Sequence, residues 1–284
     1  MPDTDATGVL AVDDPAVGVR RLTLDRPTKR NALSHRLRSE LFTHLRAANA
    51  DPAITVVVIA ANGPDFCAGY DLRQDPSELL PWAIPPGLSG WAKHVAQGWF
   101  EMWDLDVAVI AQVHGRCLAG GTELVAACDL VYVADDAAIG YPAVRTMAPP
   151  DFAWQPALLG MRAAMEALLT GDTMSGIDAV RTGLANRAVP AAALEATVLE
   201  VAQRVARVPG ELTAHNKRVV HQAMEAAGIR TGIRANVDLH GRARSTAASR
   251  AGFARIGAGA LTEALTERDQ AFGDGRTRAR SGDE

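Results

Sequence analysis

The sequence predicts an α/β fold: a core of parallel strands joined by helices over about 190 residues, then a helical C-terminal region. Three features predict it. Apolar runs at Ile54–Ala60, Val107–Val113 and Leu130–Val133 read as strands buried on both faces. Stretches with helical apolar spacing separate them, and strand–helix–strand order implies parallel pairing through right-handed crossovers. Beyond Tyr141-Pro142 the apolar spacing turns helical, in segments rich in alanine and leucine.

Taken in order, Val9–Val12 and Val19–Leu24 read as opening strands, with Leu22 and Leu24 alternating against Arg21 and Thr23. Asp25-Arg26-Pro27-Thr28 ends the second. Ser34 is the expected N-cap of a helix that carries Leu37, Leu41, Phe42, Leu45 and Ala48 on one face. Asn62–Leu72 reads as a loop, and the proline-containing stretch 73–90 as a mobile loop on the substrate side. A helix is expected over Trp91–Trp103, a tight turn from Gly115 to Gly121, and a helix over Thr122–Cys128. Helices follow near 155–170, 176–183, 191–207 and 211–227, and the polar end GDGRTRARSGDE is expected to fray.

Composition narrows the function. The 284 residues are 48% apolar and 22% charged, which places the chain among folded globular proteins. Twenty-nine basic residues against thirty-three acidic ones leave a net charge of −4, without the basic excess of a general nucleic-acid binder. The longest apolar runs, such as ITVVVIAA, are too short to cross a bilayer, and MPDTDATG lacks the basic start of a secretion signal. Cys67, Cys117 and Cys128 have no C-x-x-C spacing, so a reducing, cytoplasmic compartment is expected.

Three glycine-containing turns each follow a strand: Phe66–Leu72, Gly115–Leu124 and Ile139–Pro142. The second sets small residues at a helix N-terminus, where backbone N–H groups without intrahelical acceptors can donate to an oxygen that becomes negative during reaction. Glu123 lies one turn from those donors and is placed to move protons beside them. The plainer alternative is that the glycines permit close strand–helix packing and that Glu123 complements the helix dipole. No G-x-G-x-x-G fingerprint is present, and His94, His114, His215, His221 and His240 form no metal-ligand pattern, so they read as surface or satisfied interior residues.

The turns in this order resemble the crotonase family, also called the enoyl-CoA hydratase/isomerase family. LDRPTKRNALS at 24–34, VVVIAANGPDFCAGYDL at 56–72, VHGRCLAGGTELVAACDLVYVADDAAIGYP at 113–142, AVRTGLANRAVP at 179–190 and Lys217 carry the resemblance. It implies a spiral of ββα turns over residues 1–190 that binds acyl-CoA, then a helical region over 191–284 that packs in a homotrimer or a dimer of trimers. It implies Ala68 and Gly120 as the two N–H donors of an oxyanion hole for a coenzyme A thioester. Arg26, Lys29 and Arg30 fall where the family approaches the nucleotide end of coenzyme A, with surface solvation as their alternative. Asp71 and Leu72 match positions along the adenine and pantetheine path. No metal and no cofactor beyond the coenzyme A of the substrate is implied.

Two departures qualify the resemblance. The family's second hydratase glutamate falls at Ala143, which cannot transfer a proton. Asp151 matches a position where dienoyl-CoA isomerases and aroyl-CoA dehalogenases of the family use an aspartate; its alternative is a helix cap. Trp154 replaces the usual glycine and is expected to fill part of the acyl pocket or to serve as a core aromatic. Three functions compete: a lyase hydrating 2-enoyl-CoA with Glu123, an isomerase or hydrolase using Glu123 and Asp151, and a CoA-thioester-binding protein without turnover.

Overall fold

The computed structural model describes residues 8–73, 83–257 and 261–277. The main sheet is built from β1 (Leu10–Ala16), β2 (Val19–Leu24), β3 (Val56–Ala61), β4 (Ala108–Val113), β6 (Leu130–Ala134) and β9 (Arg187–Val189), in the order β1-β2-β3-β4-β6-β9. β1 and β2 pair antiparallel, with Leu10 opposite Leu24, and every later pairing is parallel. The three apolar runs expected to be doubly buried form β3, β4 and β6 in the middle of this sheet. α1 (His35–Ala50) starts where Ser34 Oγ accepts from the Leu37 N–H, and Leu37, Leu41, Phe42, Leu45 and Ala48 are all buried.

The expected turn at 115–121 contains an additional strand, β5 (Arg116–Leu118). It pairs with β7 (Ala138–Gly140), which pairs with β8 (Thr173–Ser175), to make a second, three-stranded sheet. α2 spans Gly90–Asp104, and α3 spans Gly120–Ala126, beginning two residues before the expected start. The helix expected near 155–170 is two pieces, α4 (Gln155–Leu158) and α5 (Gly160–Thr170), because Gly160 adopts a φ of +71° that breaks the run.

α6 (Gly176–Thr182), α7 (Ala191–Ala206) and α8 (Gly210–Ala226) match expectation. α7 lies across β3, β4 and β6, so the first helix of the C-terminal region serves the core sheet. α9 (Ile229–Arg244), α10 (Ala247–Gly257) and α11 (Leu261–Gln270) fall in the C-terminal region expected to be helical, although the sequence does not bound them individually. α9 buries Ile233, Val237 and His240 and packs on α2. Residues 74–82, half of the expected loop at 73–90, and the last residues of the chain lie outside the described residues. No described helix is long and apolar enough to cross a membrane.

Candidate active site

Backbone hydrogen bonds stack the three glycine turns. Cys67 N–H donates to Arg116 O and Leu118 N–H donates to Cys67 O, which joins the first turn to the second. Ala119 N–H donates to Gly140 O at 2.9 Å, which joins the second to the third. Ala119 holds φ +48° and ψ −122°, a conformation natural to glycine, just before α3. A non-glycine residue there stores about 1–3 kcal/mol of strain. Gly69 lies so close to the start of α3 that a Cβ on it would sit 3.2 Å from the Gly120 nitrogen.

That stacking places Glu123, itself fully buried, at the centre of a polar cluster. Its Oε2 accepts from the Tyr70 hydroxyl at 2.6 Å and from the Trp99 indole N–H at 3.3 Å. Its Oε1 accepts from the Tyr141 hydroxyl at 3.1 Å and from the Phe152 backbone N–H at 3.2 Å. Burial, first, and the nearby Asp151 charge raise the Glu123 carboxyl, the Tyr70, Phe152 and Tyr141 donors pull it back toward the ionised form, and the net value stands at about 7.

Asp151 is 4% exposed, and burial pushes its carboxyl up to about 7 as well, against the lowering influence of Arg244 and Arg38. Its Oδ1 makes no aligned hydrogen bond, although His240 Nε2 lies 3.2 Å away. Arg38, fully buried on α1, donates to His94 Nε2 at 3.0 Å and lies against the rings of Tyr70, Trp91 and Trp99. The cluster therefore holds two carboxyls with different surroundings, one wrapped in donors and one largely without them. Such a pair can divide the roles of base and acid.

The residues expected at the site do not all arrive there. The Ala68 N–H donates to Arg30 O at 2.9 Å, so it is already spent within the main chain and is not an oxyanion donor. Two residues on, the Tyr70 N–H reaches no acceptor among the described residues. Nor does the Gly120 N–H, which as the first residue of α3 has no intrahelical acceptor. The amides of Tyr70 and Gly120 are thus free among the described residues.

Arg26 is 3% exposed and pairs with Asp71 at 3.0 Å, so both side chains lock the first turn in place and neither is free for coenzyme A. Lys29 and Arg30 are exposed beside that turn, and Leu72 is 37% exposed. Trp154 is buried, donates to Thr122 Oγ1 at 3.3 Å, and lines a cavity of about 510 Å³ with Trp103, Val125, Leu158 and Ile233. Ala143 lies in a 3-10 turn over Pro142–Arg145 and brings no carboxyl.

Tyr70, Trp99, Tyr141, Arg38 and His240 escaped the sequence reading. Tyr70 and Tyr141 lie inside two of the glycine turns, which was a usable signal. Arg38, Trp99 and His240 come from three separate helices and leave no linear trace. Cys67 and Cys117 are fully buried, and burial pushes Cys67 up to about 12 and Cys117 well above its ordinary value, which keeps both as thiols.

Comparison with known proteins identifies the family. The family model for enoyl-CoA hydratase/isomerase matches residues 15–257. The chain is 31% identical to the mevalonyl-coenzyme A hydratase of Aspergillus fumigatus, over 80% of this chain and 83% of that protein. It is 33% identical to the hydroxycinnamoyl-CoA hydratase-lyase of Pseudomonas fluorescens, over 66% and 69%. Among solved structures, an enoyl-CoA hydratase from Mycobacterium smegmatis superposes with a TM-score of 0.86 at 28% identity, covering 98% of this chain and 99% of that one. With its stacked glycine turns, its buried glutamate and a family match over most of its length, this chain belongs to the enoyl-CoA hydratase/isomerase family.

Proposed function

We propose that the protein adds water reversibly to a 2-enoyl-CoA thioester. The carrying observation is the second buried carboxyl, Asp151, beside a Glu123 that four donors hold toward its ionised form. The Tyr70 and Gly120 N–H groups receive the thioester oxygen as it becomes negative. One such donor is worth about 3–4 kcal/mol in a transition state. Glu123 takes a proton from water as the water oxygen bonds to the β-carbon. The double-bond electrons pass to the thioester oxygen, and Asp151 delivers its proton to the α-carbon. Asp151 thereby does the work of the glutamate that Ala143 replaces.

Lys29 and Arg30, exposed beside the first turn, suit the phosphates of coenzyme A. A homotrimer or a dimer of trimers belongs to the same proposal, supported by exposed apolar side chains on α5 (Met161, Met165, Leu169) and α8 (Leu212, Val219, Val220). The three free cysteines support a cytoplasmic setting.

Purified protein given crotonyl-CoA and longer 2-enoyl-CoAs should remove the conjugated enone absorbance. A folded sample that leaves it unchanged at every chain length rejects hydration. Ala143 favours one further reading, an isomerase that passes a proton between carbons using Asp151 and Glu123. Deuterium entering the α or γ carbon without net hydration identifies that reaction. Tight acyl-CoA binding with neither outcome identifies a binding protein.

A further inference from the structure

His240 has a position that the reading above leaves unused. It is 5% exposed on α9, and its Nδ1 lies 2.8 Å from the Pro149 carbonyl oxygen. A carbonyl only accepts, so Nδ1 carries the proton and the neutral ring presents a lone pair at Nε2. That nitrogen lies 3.2 Å from Asp151 Oδ1, close enough to pair yet not aligned as a hydrogen bond. Two lone pairs held so close in a buried site repel each other. One proton between them removes the repulsion.

We propose that His240, carried in by the C-terminal helix α9, is a positioning residue that keeps the proton on Asp151 by accepting a hydrogen bond from the Asp151 O–H at Nε2. This rests on the hydration reading, in which Asp151 supplies the α-proton. In the resting pair a turn of the Asp151 carboxyl from its off-axis position brings its O–H onto the Nε2 lone pair, to which it donates. As the enolate forms, that O–H bond breaks, its proton bonds to the α-carbon, and Asp151 is left as a carboxylate. Glu123 meanwhile has gained the proton of the attacking water. Its transfer back to Asp151 restores the starting state, so only water is consumed.

The surroundings favour a neutral pair over an ionic one. Burial raises the Asp151 carboxyl and lowers His240, each toward its uncharged form. Arg244 on α9 and Arg38 on α1 oppose this at Asp151, as does the Trp91 indole from α2. Arg244 also lowers His240, whereas the Glu123 charge and the Pro149 carbonyl raise it. The Tyr70 and Tyr141 hydroxyls are held well above their ordinary values, so they stay protonated and add no charge.

His240→Asn tests the assignment, because its amide still reaches the Pro149 carbonyl while Nε2 is gone. The alkaline limb of kcat against pH should fall by about one pH unit, with kcat about tenfold lower above neutrality and KM unchanged. His240→Gln, whose amide oxygen reaches the Nε2 position, should restore most of the limb. A limb that stays in place in His240→Asn overturns the proposal even if kcat drops, since a merely structural role lowers activity at every pH alike. Nitrogen-15 NMR of histidine-labelled whole protein supplies a readout independent of turnover. The Nδ1–H tautomer at His240, with an Nε2 signal that shifts in Asp151→Asn, supports the pair even if no enoyl-CoA is hydrated. An Nε2–H tautomer overturns it.

Discussion

Tyr70→Phe removes one hydroxyl and retains the ring. The ring must remain, because Gly120 packs against it so closely that a Cβ there would sit 2.6 Å from Tyr70 Cε2. The lost group is the 2.6 Å donor to Glu123 Oε2, the shortest of the four bonds to that carboxyl. A hydrogen bond to a charged group contributes about 1.5–3 kcal/mol, which corresponds to roughly one to two pKa units. Glu123 stands at about 7 with this donor in place. Without it the ionised form is less stable, so its pKa rises further.

Glu123 must be ionised to act as base, so the acid limb of kcat/KM against pH moves upward. At pH 6 the variant should be about ten- to a hundredfold slower than the parent, shrinking to about two- to tenfold at pH 8. Because Glu123 and Asp151 titrate as a pair, the limb reports the pair's first proton rather than one residue in isolation. The assay is enoyl-CoA hydration across the pH range, with melting curves confirming that the variant is folded. An acid limb that stays put, or moves to lower pH, refutes the view that the phenol stabilises the Glu123 charge.

Glu123→Gln should lower kcat by about 10²–10⁴-fold, the usual span for a general base, as measured by steady-state hydration. The two buried carboxyls also make stability depend on pH. Their folded values near 7 exceed their ordinary values of 4.5 and 3.8, so this stabilising contribution is fully present below about pH 4 and is lost as pH rises through about 7. The loss is about 3–4 kcal/mol for each group, and a Glu123→Gln, Asp151→Asn double variant should show a flatter melting temperature across that window. Ala119→Gly should relieve the strain at φ +48° and stabilise the fold by about 1–2 kcal/mol in urea denaturation. Lys217 donates to Met102 O and Val107 O and pairs with Asp129 at 2.9 Å, so Lys217→Met should destabilise by about 3 kcal/mol by leaving Asp129 short of a cation.

Fold and site were unequally legible. The apolar runs that became β3, β4 and β6 could be read directly, because a strand buried on both faces must be apolar at successive positions. Ser34 likewise announced α1 through local chemistry. α9 was not bounded although Ile229, Ile233 and Val237 repeat at i, i+4 spacing, a usable helix signal; packing against α2, α8 and α10 is what makes them a buried face. The break at Gly160 is a local signal, a glycine at positive φ, whereas the short strand β5 was missed because it depends on its partner β7.

At the site, Glu123 and Gly120 were readable because a helix start and a residue one turn into it are close in both sequence and space. The second amide was misplaced by two residues. Whether Ala68 or Tyr70 has a free N–H depends on the carbonyl of Arg30, which a different loop delivers. Local order therefore dictated the strands, the glycine turns and the glutamate that follows one of them. Tertiary packing alone chose which amide stays unpaired, wrapped Glu123 in hydroxyls and an indole, and set His240 against Asp151. Hydrogen bonds between separate elements, and the water excluded around them, arise only when those elements meet.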